Sequence, residues 1–171
     1  TLRGARVIEL GAGVGAASIA IALCGTAKLV LATDRASHSL ALIVANAALN
    51  GVSGIVVEPL DWDDSAALSR ARDEHGPFDI VLGAALQFET WQARLWGVLE
   101  TLTNENGGRV ALAHTTAQLD PPPPRPGVLL SEDERIPGTA FDMHTAHSRT
   151  TSDFEIVLLS RITCSAEEED S

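Results

Sequence analysis

Short apolar runs recur along the first two thirds of the chain, and segments with helical spacing lie between them. Val7-Ile8-Glu9-Leu10 is an apolar run that stops at glycines, and the small and aliphatic residues from Ala16 to Leu23 predict a helix behind it. Leu29 to Thr33 reads as a second buried strand with Asp34 at its carboxyl end. Helical spacing from Ser37 to Leu49 stops at Asn50-Gly51, a helix C-terminal signal. Ile55 to Glu58 is a third strand. Asp63 and Asp64 can cap a helix through Ser65 to Glu74, which Gly76-Pro77 ends before a fourth strand, Phe78 to Leu82. A helix from Thr90 to Leu102, a turn at Asn104 to Gly108 and a fifth strand, Arg109 to His114, complete this part.

Such alternation of short apolar strands with helices predicts a parallel sheet covered on both faces, an α/β architecture of three layers. The pattern then breaks. Pro121 to Pro124 and Arg125-Pro126-Gly127 cannot be helix or central strand, because proline lacks the amide donor and fixes φ, so residues 115–137 read as a loop. Thr139 to His144 and Asp153 to Arg161 read as two strands of a terminal antiparallel hairpin. Residues 166–171, with Glu167 to Asp170, form an acidic tail. The 171 residues are expected to make one domain, 1–171, with little room for a separate substrate domain.

Composition narrows the function. With 45% hydrophobic and 20% charged residues, the chain is globular in character. A formal charge of −11 repels phosphate backbones and no basic stripe offsets it, which argues against nucleic acid and for a basic partner. Lys28 is the only lysine, a bias that GC-rich codon usage explains better than function does. Cys24 and Cys164 have no partner spacing, and His144 and His147 lack a third ligand, so neither a disulfide framework nor a metal site is indicated. No apolar run reaches membrane-spanning length and the start lacks a signal-peptide pattern, so a cytoplasmic chain is expected. The sequence has no initiator Met, and a native targeting segment can be missing from it.

The candidate chemistry begins at Gly11-Ala12-Gly13-Val14-Gly15, which joins the first strand to a helix N-terminus and lets a ligand approach the backbone. With Ala16 in the last place it also satisfies the dinucleotide pattern, so the glycines alone leave the cofactor open. Glu9, a carboxylate in an apolar strand, needs hydrogen bonds from nearby amides or a ligand; holding the loop in shape is at least as good an account of it as direct contact. Asp34 at the tip of strand two can accept both ribose hydroxyls, a role we favour over that of a cap for the helix behind it. Asp61 and Trp62 follow strand three, where an acid and an aromatic can hold an adenine, although core burial alone would justify the indole. His114, at the end of strand five, faces the expected substrate edge and is a candidate substrate contact, although a solvent-exposed strand end is the more common explanation of such a residue.

The string Val7 to Gly15, then Thr33-Asp34, then Leu60-Asp61-Trp62, then Phe78-Asp79-Ile80-Val81-Leu82-Gly83-Ala84 resembles the small seven-strand protein-lysine methyltransferases of the methyltransferase-like-21 group. The resemblance implies a Rossmann-like sheet of order 3-2-1-4-5-7-6 with its last strand antiparallel, and S-adenosyl-L-methionine as cofactor. It implies that Gly11, Ala12 and Gly13 border the methionine moiety, Asp34 the ribose, Asp61 and Trp62 the adenine, and Ala84 the wall beside the sulfonium. The family continues with a DxxY or DxxF motif where this chain has Ala85-Leu86-Gln87-Phe88. Phe88 keeps the aromatic as a candidate substrate contact, but Ala85 cannot orient a lysine ammonium. Members also carry an N-terminal segment over the cofactor, whereas Thr1 stands just before strand one.

Methyl transfer needs in-line approach by a neutral nucleophile more than a strong base, so positioning supplies much of the rate and no catalytic residue is assigned. The expected function is methyl transfer to lysine of a basic protein. A methyltransferase-like subunit of weak or no activity, acting through protein contacts, is the rival that Ala85 motivates. A nicotinamide-dependent oxidoreductase is disfavoured, since no catalytic domain follows the nucleotide fold. Oligomeric state has no signal in the sequence.

Overall fold

The computed structural model describes residues 1–86, 92–115, 130–138, 143–145, 148–150 and 154–161, with side chains described through residue 86 and over 94–113. Five parallel strands form its centre: β1 (Arg6–Leu10), β2 (Leu29–Asp34), β3 (Ile55–Pro59), β4 (Ile80–Ala84) and β5 (Arg109–Thr115). They lie side by side as β3-β2-β1-β4-β5. Helices α1 (Ala16–Leu23), α2 (Ser37–Leu49), α3 (Ser65–His75) and α4 (Gln92–Leu102) alternate with them. This is the α/β arrangement of Rossmann-like proteins, with helices packed on the sheet.

The strands form where the apolar runs predicted them, because a parallel sheet covered by helices buries both side-chain faces. Val7, Ile8 and Leu10 of β1 are wholly buried. A large cluster joins Ile8, Leu10 and Leu31 to Leu68 of α3, to Leu95, Val98 and Leu99 of α4, and to the buried Phe78. A smaller one joins Ala12 and Ala32 to Ile43 of α2. Each large side chain so buried contributes about 1.5–3 kcal/mol, and the central strands therefore carry most of the sheet's stability. Asp64 caps α3 by accepting from the amides of Ala66 and Ala67, as its place before the helix predicted.

Two boundaries differ from the sequence reading. The fourth strand is Ile80–Ala84 rather than Phe78 to Leu82. Phe78 and Asp79 are held elsewhere: the amide of Phe78 donates to the carbonyl of Leu102, and the amide of Asp79 to that of Arg6. The Asp79 carboxylate accepts from the Arg6 amide and from Asn104 Nδ2, both at 2.9 Å, which ties the entries of three strands together.

The expected loop at 115–137 is also too long, because Leu130–Gly138 is a strand, β6. Its run of Ser131-Glu132-Asp133-Glu134-Arg135 and its Pro137 lack the apolar alternation by which strands are read from sequence. Residues 139–142 of the expected strand Thr139 to His144 lie outside the described residues; Met143–Thr145 (β7) pairs antiparallel with Ser148–Thr150 (β8) in a sheet of its own, and not with the last expected strand, whose hairpin partner is β6. Phe154–Arg161 (β9) matches the last expected strand. Pro121 to Pro124 and the tail at 166–171 lie outside the described residues.

Candidate active site at the carboxyl edge of the sheet

The turn from β1 into α1 takes its shape from three glycines with positive φ, Gly11 at 59°, Gly13 at 56° and Gly15 at 79°. A Cβ at Gly13 would meet open space, so this backbone is accessible to a ligand, whereas one at Gly15 would lie 2.9 Å from an Ile43 methyl. Position 15 is therefore glycine for packing against α2 as well as for its φ.

Two carboxylates hold the turn. Glu9 is buried, and its Oε2 accepts from the Ser18 amide at 2.8 Å and the Ser18 hydroxyl at 2.5 Å. Helix α1 has no side-chain N-cap of its own, so Glu9 satisfies one of its orphan amides from the neighbouring strand. Burial raises the Glu9 pKa above the ordinary glutamate value, and the Ser18 bonds oppose that rise. The Thr33 hydroxyl donates to the Glu9 carbonyl, joining β2 to the same point.

Asp34 is half-buried at the end of β2. Its Oδ2 accepts from the Gly13 amide at 2.9 Å and its Oδ1 from the Ala36 amide at 2.8 Å. The N-cap of α2 is Ala36, with no side-chain cap bond, so Asp34 makes a local turn and a link to the glycine turn rather than a cap. A carboxylate has about four acceptor sites, so capacity remains for two hydroxyls.

The exit of β3 lies beside Asp34, because the Leu60 amide donates to the Asp34 carbonyl. Asp61 is half-buried and accepts from the Asp63 amide at 3.0 Å. Trp62 is 9% exposed and belongs to the large core cluster, so packing is its first role and only a small part of its surface is left for a ligand.

On the other side of β1, Ala84 is exposed at the end of β4. Ala85 has φ 54°, and its amide donates to the Ala113 carbonyl at 2.8 Å. The Ala84↔Ala113 register brings His114 to the same edge by its backbone. The His114 side chain, Phe88 and Gln87 lie outside the described residues. Among the described residues no group of side chains could hold a metal ion, and no helix is long and apolar enough to cross a membrane.

A family model described as lysine methyltransferase matches residues 1–118. The chain belongs to the lysine methyltransferase family. It is an S-adenosylmethionine-dependent methyltransferase.

Solved methyltransferases share the fold. The ribosomal protein L11 methylase of Lactobacillus delbrueckii subsp. bulgaricus is similar with a TM-score of 0.62 at 24% identity, over 95% of this chain and 72% of that one. The magnesium protoporphyrin IX methyltransferase of Synechocystis PCC 6803, with bound SAM, gives 0.61 at 16% identity over 94% and 72%. PKMT2 of Rickettsia typhi gives 0.57 at 19% identity over 68% and 22%. No curated protein matches the sequence.

The residues of this methyltransferase suit its cofactor by their chemistry. The Gly13 and Gly15 amides, which a diphosphate would seek at a helix N-terminus, are already taken by Asp34 and by the Ala12 carbonyl. The turn carries no basic side chain and is flanked by Glu9 and Asp34. Acceptors beside a turn without basic side chains fit a ligand rich in hydroxyls and bearing positive charge, as S-adenosylmethionine is.

Sequence reasoning missed three residues that build this edge. Ser18 is the partner of Glu9, and its signal was available: it is the one polar residue in α1. Asn46 of α2 donates from Nδ2 to the Val14 carbonyl at 2.9 Å. Leu86 is buried against the glycines and gave no signal beyond its apolarity.

Proposed function

We propose that this methyltransferase transfers the methyl group to a lysine side chain of a basic protein, in the manner of the methyltransferase-like-21 group. The lysine methyltransferase match carries this reading, since it spans β1 to β5 and so includes the whole carboxyl edge. When bound, S-adenosylmethionine supplies a methyl group on a sulfonium to a neutral amine. Gly11, Ala12 and Gly13 border its methionine part, Asp34 takes its ribose hydroxyls, Asp61 and the exposed remainder of Trp62 meet its adenine, and Ala84 forms the wall beside the methyl group. Glu9 acts through the Ser18 bonds that keep the turn in shape. Phe88 and His114 border the incoming lysine.

With no carboxylate at Ala85, the chain's contribution to rate is alignment and exclusion of water. The net charge of −11 favours encounter with a lysine-rich target. The proposal takes 1–171 as one domain with a seven-strand sheet of order 3-2-1-4-5-7-6. Its support is that β9 pairs antiparallel with β5 from Arg109↔Ser160 to Thr115↔Phe154, and β6 antiparallel with β9. It also places the protein in the cytoplasm, where sparse, unpaired cysteines are ordinary.

The test is transfer of labelled methyl from S-adenosylmethionine to a panel of lysine-rich proteins, with transfer RNA and ribosomal RNA as competing acceptors. Label on protein lysine is expected. Label on RNA or on a different side chain would overturn the substrate assignment, and cofactor binding without any transfer would favour the protein-contact role.

A further inference from the structure

Strands β1 and β4 are neighbours, yet the chain leaves β1 toward β2 on one side and returns to β4 on the other. The crevice between their carboxyl ends is where the strand order reverses, and open α/β sheets bind ligands there. The side chain standing in this crevice is that of Leu86. A Cβ on Gly83 would lie 2.3 Å from Leu86 Cδ1, and one on Gly11 2.7 Å from Leu86 Cδ2. A Cβ at either position would push the leucine tip aside, so Leu86 lies directly against the backbone of both glycines. Gly83 is paired in register with Leu10, the residue before Gly11, which puts the two glycines on opposite lips of the crevice.

The backbone makes a third concession. Ala85, which directs Leu86 into place, has φ 54°, a region that residues with a Cβ other than Asn and Asp rarely enter. Strain of this kind persists only where surrounding structure imposes it, and it gathers at ligand sites. Leu86 is 8% exposed and shares its space with Leu95 and Leu112. Leu86 belongs to the large core cluster, and the left-handed residue before it is what sets it apart there.

We infer that Leu86 is a specificity-determining residue that limits the volume beside the transferred group, admitting methyl and excluding larger substituents on the cofactor's sulfur. The inference rests on the placement of Gly11 and Ala84 beside the methionine and sulfonium given above. A branched side chain between Gly11 and Gly83 occupies the crevice beneath the place given to the sulfonium. Shortening it returns volume where a larger substituent would lie, while Glu9, Asp34 and the glycine turn keep their own bonds.

The experiment is calorimetric titration of the full chain with S-adenosylhomocysteine and, separately, with the S-benzyl analogue of the cofactor. The parent is expected to bind the benzyl analogue at least about tenfold more weakly, the discrimination that one or two carbon atoms yield in an apolar pocket. Leu86→Ala is expected to shrink that gap to about threefold or less by tightening the benzyl analogue, with S-adenosylhomocysteine affinity little changed. A gap as wide as the parent's overturns the inference, as does equal weakening of both ligands, which would make Leu86 a fold-supporting residue only. Should Leu86→Ala fail to fold, Leu86→Val is expected to give an intermediate gap, and an unchanged gap there overturns the inference too. A parent that binds neither compound overturns the cofactor placement itself, a result separate from any Leu86 effect.

Discussion

The two halves of the carboxyl edge are built on different principles. At the ends of β1 and β2, Glu9 and Asp34 are each anchored by two hydrogen bonds, and the glycine turn is tied at Gly13 to Asp34 and at Val14 to Asn46. At the end of β4, Ala84, Ala85 and Leu86 present no polar side chain, and order there comes from close packing and a left-handed backbone. The polar half is preorganised to hold a ligand with hydroxyls and positive charge. Among the described residues the apolar half shapes a space and offers no titratable side chain. Cofactor binding and acceptor chemistry are thus separable in this chain, and substitutions should affect one without the other.

The strongest break of the polar half is Glu9→Ala. It leaves the buried Ser18 amide and hydroxyl without their acceptor, and urea unfolding should show a loss of about 2–4 kcal/mol, since each orphaned group costs about 1–3 kcal/mol. A loss under about 0.5 kcal/mol would show that water replaces the carboxylate. Glu9 also predicts a pH dependence. Because burial raises its pKa in the folded chain, the unfolded chain loses this proton first as pH rises past the ordinary value of 4.5. Between that value and the raised one the folded state binds more protons, so this contribution to stability is full below 4.5 and declines as pH rises through the window. Glu9→Gln should flatten that part of the stability profile; an identical profile in the variant would remove Glu9 as its source.

Next in size is Asp34→Ala. Calorimetry with S-adenosylhomocysteine should show affinity weaker by about 1–3 kcal/mol, through lost charge-assisted ribose bonds and a looser Gly13, with the fold intact by circular dichroism. Unchanged affinity would reduce Asp34 to a turn-former.

The smallest effects belong to position 85. Ala85→Gly should raise stability by about 1 kcal/mol, because glycine takes positive φ without the Cβ penalty. Ala85→Asp should leave stability near the parent's, since aspartate tolerates this conformation, and should increase methyl transfer to lysine-containing proteins by giving the amine an acceptor. If the parent already matches the variant in transfer, the carboxylate has no part in this chain's reaction.

The order of strands and helices, the glycine turn and the acids at 9 and 34 were legible from sequence, because buried parallel strands and helices write their periodicity locally. Strand β6 was not, since its charged residues and Pro137 carry no such period. The roles of the acids were legible only as alternatives. Glu9 meets Ser18 nine residues away and Asp34 meets Gly13 twenty-one away, and those meetings exist only once β1 and β2 pair and α1 packs beside them. The packing of Leu86 between Gly11 and Gly83, and the left-handed Ala85 that turns it there, were decided wholly by tertiary structure. The Leu86 tip lies where a Cβ at either glycine would stand, and nothing in the local pattern around Leu86 records contacts with residues so distant in sequence.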